Sequence, residues 1–198
     1  MTDQLPGPLA INQYIDFDNT LYQKNDCCGF RFTNALWGSF SNFSNHPVKY
    51  LDRTWKSSEA LYQAGRFTDH LEIVEKIFDA EIPALAKQVA RSHDHLTRTD
   101  WGEFKIPWMH DVLALKLVSN PAIWREIDLT GDKPIVEVST RDTFWGASST
   151  SDGYCYLGSN ILGKLWMLIR ERDIEYYFKH WRPMDLPYLQ KERLHWIF

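Results

Sequence analysis

The spacing of apolar residues changes along the chain and separates strand-like from helix-like stretches. Between residues 30 and 43, aromatic side chains mix with Asn, Ser and Gly, which predicts short strands broken by a turn near Gly38. Residues 47–51 predict a further strand. After Trp55 the apolar positions recur every three or four residues, and this spacing predicts a helix with Ser57 as its N-cap.

Helical spacing dominates the rest of the chain. It continues through residues 71–78 and 82–89. Pro107 is expected in the first turn of another helix, because proline fits there without costing a hydrogen bond. An apolar helix through Ile169 follows Asn160, which is predicted to cap it.

Two stretches in the second half of the chain have a different pattern. The β-branched run at residues 135–138 predicts a short strand, whereas residues 147–158 are small, polar and glycine-containing and predict a loop. The chain contains no internal repeat and no low-complexity segment. The whole pattern predicts an α+β fold, mainly α-helical, in a single compact domain with a few short strands.

Composition agrees with one folded domain. The chain has 198 residues, 44% of them hydrophobic, and a net charge of −4, which gives enough apolar material for a core. The weak acidity argues against a protein that captures nucleic acid mainly by neutralising phosphates. The tail from Lys164 to the C-terminus carries seven Lys or Arg against five Asp or Glu, with Trp166, Trp181 and Trp196 among them. This tail is interpreted as packing on the core, and contact with DNA is the alternative.

Cysteine and histidine positions limit the kinds of site that the chain can form. Cys27, Cys28 and Cys155 are an odd set without the spacing of a disulfide framework or a zinc site, and His93 and His95 have no third ligand at a recognisable spacing. The first fifteen residues lack the pattern of a secretory signal, and no apolar run is long enough to span a bilayer. We therefore expect a cytoplasmic protein without a metal, a cofactor or contact with a membrane.

The first candidate for chemistry is the polar face of the helix after Ser57. At 100° per residue, Glu59, Gln63 and Arg66 share one face opposite the apolar stripe. Glu59 also lies in the first turn, where a carboxylate complements the helix dipole and can simply face water. The alternative is that this face lines a cleft, with Glu59 as general acid/base or as a stabiliser of positive charge.

Two further segments contain candidate groups. Asp142 either pairs with Glu59 in a cleft or forms a surface ion pair with Arg141. The loop that precedes Asn160 could present backbone N–H groups to a phosphate, although it has neither common phosphate-loop spacing. Trp101 could stack on a flat base and Lys105 could bind phosphate or attack a sugar aldehyde; the alternative is a core tryptophan with an outward lysine.

Together and in this order, these segments resemble the NADAR superfamily, the NAD- and ADP-ribose-associated YbiA-like proteins. The resemblance covers roughly residues 30–173. The matching positions are Phe40-Ser41-Asn42-Phe43; Trp55, Ser58-Glu59, Tyr62-Gln63-Ala64 and Phe67; Trp101 with Lys105; Asp142 with Trp145-Gly146; and Gly158-Ser159-Asn160-Ile161-Leu162-Gly163.

The resemblance implies a YbiA-like, mostly helical domain with N-glycosidase activity and no metal. By motif position, Glu59 corresponds to the family's essential glutamate and Trp101 to an active-site tryptophan, while Asp142 and Trp145 correspond to residues near the same pocket. The other matching positions that we take as candidate ligand contacts are Asn42, Phe43, Ser58, Tyr62, Gly158 and Asn160.

Cleavage of an N-glycosidic bond develops positive charge at the anomeric carbon and negative charge on the leaving nitrogen. We assign Glu59 to the sugar and to activation of water, with Asp142 as its helper and Trp101 or Trp145 as the platform for the base or ribose. Lys105 keeps a second route open, because a desolvated lysine can attack the aldehyde of an opened ribose.

Two substrate branches follow from the resemblance. The leading expectation is removal of ADP-ribose from guanine in DNA, with the adduct presented outside the base stack and an ADP-ribosyltransferase toxin as the cognate partner. The second is hydrolysis of a phosphorylated riboflavin-pathway intermediate. A non-catalytic ADP-ribose-binding module is the alternative from another class.

The sequence departs from the resemblance after Gly146. Many relatives continue there with Asp and a short glycine-rich loop, whereas residues 147–154 of this chain form a longer segment that lacks the Asp. This segment and the tail favour the DNA substrate. The predicted division is an N-terminal extension over residues 1–29, the NADAR domain over 30–175, and a C-terminal extension over 176–198 packed on the domain.

Overall fold

A long helix that is buried on all sides from Ile106 to Leu117 organises the fold. The structure is a computed structural model and describes residues 8–190. Within these residues the helices are α1 (Ser58–Ala64), α2 (Leu71–Asp79), α3 (Pro83–Ser92), α4 (Trp101–Ser119), α5 (Ala122–Leu129), α6 (Ile161–Arg170) and α7 (Ile174–Lys179). The strands are β1 (Thr20–Gln23), β2 (Cys28–Phe30), β3 (Val48–Tyr50), β4 (Arg53–Trp55), β5 (Ile135–Glu137), β6 (Ser148–Ser149) and β7 (Cys155–Gly158).

Helix α4 lies at the centre of this arrangement. It packs against α1 and α6, against the β3–β4 hairpin and against the short 3-10 helix Pro8–Gln13. The largest side chains that are completely buried in the core are Trp55, Trp108 and Trp166. Helices thus surround the main hydrophobic core, and Tyr22, Val136 and Ala147 form a small second cluster. This arrangement confirms the predicted single compact, mainly helical α+β domain.

The sheets are small and lie around the helices. Strand β7 pairs with β1 and β6 in an antiparallel sheet, β2 pairs in parallel with β5, and β3 pairs with β4 as a hairpin. Leu51 turns this hairpin in the left-handed region, at a φ of 54°. Because β1 and β7 lie far apart in sequence, the sheet that joins them ties the N-terminal segment to the second half of the domain.

The prediction for Pro107 was wrong. Helix α4 begins at Trp101, so Pro107 lies inside it and cannot donate to the carbonyl group of Glu103 four residues earlier. The side-chain amide of Asn12 donates to that carbonyl at 3.0 Å. A partner from a distant segment therefore replaces the missing helix hydrogen bond.

Two stretches differ from the predicted local structure because of distant partners. Most of residues 30–43 forms turns and the 3-10 helix Gly38–Phe40, since the buried ammonium of Lys116 donates to the carbonyl groups of Ser39 and Ser41. The predicted loop at residues 147–158 contains β6 and β7. Residues 155–158 form strand β7 because β1 supplies their hydrogen-bond partners.

The predicted cap at Asn160 was also wrong in its detail. Asn160 occupies the position before α6, but its side chain makes no cap hydrogen bond. Its amide instead donates to the carbonyl of Ile135 at 2.9 Å and accepts from the N–H of Glu137 at 3.0 Å. Asn160 therefore fixes the end of β5 against the start of α6.

The predicted extensions fall partly outside the described residues. The end of the tail, including Trp196, lies there, whereas Tyr177 and Trp181 pack on the core. The division at residues 29 and 175 stays a prediction. No helix within residues 8–190 is long and apolar enough to cross a membrane.

Candidate active site

A polar cavity of about 390 Å³ opens between α1, α3, the start of α4 and the segment that follows β5. It is lined by four carboxylates, three basic side chains and four aromatic rings, among other groups. These are Glu59, Asp94, Glu137 and Asp142; Arg66, Lys87 and Arg91; and Phe43, Tyr62, Trp101 and Trp145. The segments that the sequence analysis singled out therefore meet at one place.

Helix α1 carries Glu59 into this cavity. The hydroxyl of Ser57 accepts from the N–H of Ala60 and starts the helix as predicted. The N–H of Glu59 donates to the backbone carbonyl of Asn42 at 3.1 Å, which joins α1 to the preceding loop. Glu59 is only 3% exposed, so the alternative of a carboxylate that simply faces water does not hold.

The polar face of α1 forms a chain of hydrogen bonds that orients the Glu59 carboxylate. Gln63 donates from its amide to Glu59 Oε1 at 2.9 Å, and Arg66 donates to Gln63 Oε1 at 3.0 Å. Because Arg66 can only donate, it fixes the amide orientation that turns the NH2 group of Gln63 towards Glu59. Lys87 Nζ lies 3.6 Å from Glu59 Oε1 and adds a positive charge beside the carboxylate.

Aromatic rings cover one wall of the cavity. Tyr62 contacts Trp101 at 5.2 Å and Trp145 at 5.7 Å between ring centroids. Burial raises the pKa of Tyr62 well above its usual value, with a further contribution from the charge of Glu59. The phenol therefore stays neutral, and the three rings offer flat surfaces for a sugar or a heterocycle.

Asp142 lines the same cavity from the exposed turn after β5. Its Oδ1 accepts from the backbone N–H groups of Phe144 and Trp145, at 3.1 and 2.9 Å. The carboxylate thus holds the turn that carries Trp145, and Glu59 and Asp142 share one cleft.

Glu137 is a cavity residue that the sequence analysis missed. It ends β5, where the buried Ile135 and Val136 precede it, and its own side chain is partly buried. Burial, followed by the charges of Asp142 and Glu59, raises the pKa of Glu137 to about 7, while Lys87 opposes this increase. The signal in the sequence is a single carboxylate in a β-branched run, a pattern that by itself predicts only a strand.

Asn42 and Phe43 line the cavity from the loop before β3. The Asn42 amide donates to the sulfur of Met109 at 3.2 Å, and its buried Oδ1 has no hydrogen-bond partner within the described residues. This oxygen is available to a donor on a ligand. The ammonium of Lys87 lies 5.3 Å from the centre of the Phe43 ring.

Four predicted site residues are not part of the cavity lining. The ammonium of Lys105 lies over the Phe144 ring, 4.3 Å from its centre. Ser58 is completely buried. Gly158 allows close packing, because a Cβ atom there would lie 2.4 Å from the carbonyl oxygen of Gly146. The fourth is Asn160, whose side-chain amide binds the backbone of β5.

Basic groups lie along α1 and α3 on the cavity wall. Lys87 and Arg91 come from α3, and Arg66 follows α1. Arg66 also contacts Asp94 at 2.5 Å and Thr97 at 2.7 Å, which hold its guanidinium in place. The cavity therefore combines a cationic side with carboxylates, an arrangement suited to an anionic sugar. Within residues 8–190 no group of His, Cys, Asp or Glu side chains is placed to hold a metal ion.

Comparison with known proteins gives a consistent result. Residues 30–172 match the NADAR domain family. The chain is 33% identical to N-glycosidase Npun_R5314 of Nostoc punctiforme, over 68% of this chain and 85% of that protein. It is 31% identical to N-glycosidase YbiA of Escherichia coli, over 72% of this chain and 86% of YbiA.

Two longer relatives contain a similar region. They are the riboflavin biosynthesis proteins VVA0006 of Vibrio vulnificus and PYRR of Zea mays, each 32% identical over 68% and 73% of this chain, respectively. The chain spans only 35% and 25% of their lengths. Among solved structures, the NMR structure of E. coli YbiA matches with a TM-score of 0.64 and 27% identity, over 82% of this chain and 97% of that one.

Proposed function

This chain belongs to the NADAR domain family, and on that premise we propose that it is an N-glycosidase that hydrolyses the bond between a ribose and an amine or base. The names of the bacterial relatives support this reaction. The observation that carries the proposal is the buried Glu59 carboxylate, which Gln63 orients within a cavity that also contains aromatic and basic groups.

The geometry supports a division of labour within the cavity. The Glu59 carboxylate stabilises the positive charge that develops at the anomeric carbon and activates the attacking water. Asp142 adds a second negative charge and positions Trp145 through the turn that it holds. Trp101 and Trp145 are the flat surfaces proposed for the ribose or the base.

The proposed substrate is ADP-ribose attached to guanine in DNA. Lys87, Arg66 and Arg91 line the cavity and would balance the charge of a diphosphate. On duplex DNA the modified base would be turned out of the stack to reach Glu59. An ADP-ribosyltransferase toxin that makes this adduct would be the cognate partner.

The second candidate is a phosphorylated riboflavin-pathway intermediate. The names of the Vibrio and maize relatives favour this substrate. It is also an anionic riboside of an amine, so the same charges and rings would serve it. A binding module for ADP-ribose, without turnover, is the third candidate.

One experiment separates the three candidates. The protein is incubated with an ADP-ribosyl-guanine oligonucleotide and, separately, with a phosphorylated riboflavin-pathway intermediate, and the released base or amine is quantified. Glu59→Gln is compared with Glu103→Gln, a matched change at an exposed residue of α4. We expect release from the oligonucleotide by the wild type and by Glu103→Gln, but not by Glu59→Gln.

Each other outcome has a defined meaning. Release only from the riboflavin intermediate would select the second substrate. Binding of ADP-ribose without release from either compound would overturn the enzymatic function in favour of the binding module. Equal release by Glu59→Gln and the wild type would overturn the role of Glu59.

A further inference from the structure

We propose that Glu137 is the general acid of this site, the group that gives its proton to the departing nitrogen while Glu59 stays ionised beside the sugar. The inference rests on the proposed N-glycosidase function and adds a catalytic residue to it. The starting observation is that Glu137 lines the same cavity as Glu59 and Asp142.

The position of Glu137 is fixed by the fold. Strand β5 is paired in parallel with β2, and the side chains of Ile135 and Val136 are completely buried. At the end of the strand, the N–H of Glu137 donates to Asn160 Oδ1. The Glu137 carboxyl group therefore projects from a rigid backbone, as a group that must meet a reacting atom requires.

The hydrogen-bond partners of the cavity carboxyl groups differ. Glu59 accepts a hydrogen bond from Gln63 and lies beside the ammonium of Lys87. Asp142 accepts from two backbone N–H groups, and Asp94 accepts from Arg66. Within residues 8–190 no hydrogen bond to the Glu137 carboxyl group is present in the structure, so Glu137 is the carboxyl group of this cavity whose oxygens no protein donor occupies.

Electrostatics agrees with this assignment. The charged groups that act on Glu137 are Glu59 from α1, Asp142 from the turn after β5 and Lys87 from α3. Burial together with the two negative charges raises the pKa of Glu137 to about 7, against the opposing effect of Lys87. A carboxylic acid with a pKa near neutrality is suited to proton donation at the pH of a cell.

The proposed step balances in protons and electrons. The bond between the anomeric carbon and nitrogen breaks, its electron pair leaves with the nitrogen, and that nitrogen takes the proton of Glu137. Water that Glu59 activates then bonds to the anomeric carbon, and the proton that the water loses passes through Glu59 to the Glu137 carboxylate. Glu59 is negative beside the cationic carbon until it accepts this proton, and the enzyme returns to its starting protonation state.

Leaving groups that differ in their need for a proton test this role. The first substrate is the guanine or amine riboside that the wild type hydrolyses, whose nitrogen needs a proton to leave. The second is 4-nitrophenyl β-ribofuranoside 5-phosphate, because nitrophenolate leaves readily as an anion. For Glu137→Gln we expect kcat to fall about 10²–10³-fold on the first substrate and less than about fivefold on the second.

The pH profile is the second readout, since a purely structural role would not change its shape. The wild type should lose activity as pH rises through about 7, where Glu137 loses its proton, and Glu137→Gln should lack this alkaline decline. Equal losses on both substrates, or an unchanged decline in the variant, would overturn the inference. Melting temperatures of the wild type and the variant establish that both are folded.

Failure of the proposed function is distinguishable from failure of this inference. If the wild type releases nothing from any riboside, the N-glycosidase function fails. The protonation of Glu137 is then measured by carbon-13 NMR of labelled glutamate carboxyl groups, with the Glu137→Gln spectrum to assign the signal. A Glu137 carboxyl that titrates below pH 5 would overturn the inference independently of activity.

Discussion

Glu137 and Lys116 are both ionisable groups whose pKa moves towards neutrality, but their surroundings differ. Burial raises the pKa of Glu137 and lowers that of Lys116, in each case to about 7. Lys116 is completely buried, whereas Glu137 borders the cavity. A pKa shift towards neutral pH thus occurs both at Lys116, the closed position, which has no contact with solvent, and at Glu137, the open position, which borders the cavity.

The closed position has no room for a ligand. The Lys116 ammonium donates to the carbonyl groups of Ser39 and Ser41 and, at 2.8 Å, to the hydroxyl of Ser44. An ammonium has three donors, so all of them are used. Lys116 therefore holds the loop that carries Asn42 and Phe43, and it acts on the site as a positioning residue.

Around Glu137, in contrast, hydrogen-bonding positions remain unused. The carboxylates of the cavity have more acceptor oxygens than the surrounding donors occupy, and the cavity has space for a ligand that supplies further donors. A shifted pKa therefore does not identify a catalytic group by itself. Glu137 and Lys116 differ in the number of hydrogen-bonding positions that the protein leaves unused, and this number separates the candidate catalytic group from the structural one.

The largest expected effect comes from a change in the open region. Glu59→Gln keeps the shape of the side chain and its acceptor for Gln63 but removes the negative charge beside the sugar. We expect kcat to fall by about 10³-fold, with a melting temperature close to that of the wild type. Steady-state assays and thermal melts check this, with Glu103→Gln as the control. A parallel loss of folding would show that Glu59 is mainly structural.

A change in the closed region should act on stability instead. Lys116→Met keeps the length of the side chain but leaves the carbonyl groups of Ser39 and Ser41 without their donor. We expect the free energy of unfolding to fall by about 3 kcal/mol, as measured by urea unfolding at neutral pH. Lys49→Met, at an exposed position of β3, is the control. A loss of less than about 1 kcal/mol would contradict the positioning role.

The pH dependence of stability should have opposite directions at the two positions. Since the folded pKa of Glu137 is raised from 4.5 to about 7, its contribution to stability is present below 4.5 and is lost as pH rises through 7. Since the folded pKa of Lys116 is lowered from 10.5 to about 7, its contribution is present above 10.5 and is lost as pH falls through 7.

Unfolding measurements from pH 4 to 11 check these directions. The stability difference between the wild type and Glu137→Gln should fall with rising pH between 4.5 and 7, and that between the wild type and Lys116→Met should rise between 7 and 10.5. The expected changes are about 3 kcal/mol for Glu137 and about 5 kcal/mol for Lys116. If neither stability difference changes with pH in these two ranges, the pKa shifts proposed for Glu137 and Lys116 are wrong.

The smallest effect is expected at Lys105. Its ammonium lies over the Phe144 ring outside the cavity lining, so Lys105→Gln should change kcat by less than about twofold, as a cation–π contact at a partly exposed site is worth little. Borohydride reduction during turnover checks the lysine route. A covalent sugar adduct in the wild type that is absent from Lys105→Gln would restore Lys105 as a nucleophile.

Much of the helical framework could be predicted because its signals are local. Ser57 caps α1 through an atom three residues away, and the face shared by Glu59, Gln63 and Arg66 follows from helix geometry alone. The family resemblance placed Asp142 beside them. Helix periodicity and caps act within a few residues, so they can be identified before the chain is folded.

The errors occurred where a distant segment supplies a partner. Pro107 stays inside α4 because Asn12 binds the unpaired carbonyl of Glu103. Asn160 binds β5 rather than its own helix. Residues 155–158 form a strand because β1 pairs with them. Nothing in the neighbouring sequence records these hydrogen bonds.

The sequence by itself determined which residue types were available for chemistry, the polar face on which Glu59 lies, and the family to which the chain belongs. The tertiary structure decided that Glu59 is buried, that Glu137 joins it, and that Lys105 lies outside the cavity. The physical reason is that burial and charge coupling depend on which segments meet in space. A carboxylate in a β-branched strand acquires its proton affinity only when α1, α3 and the turn at Asp142 close around it.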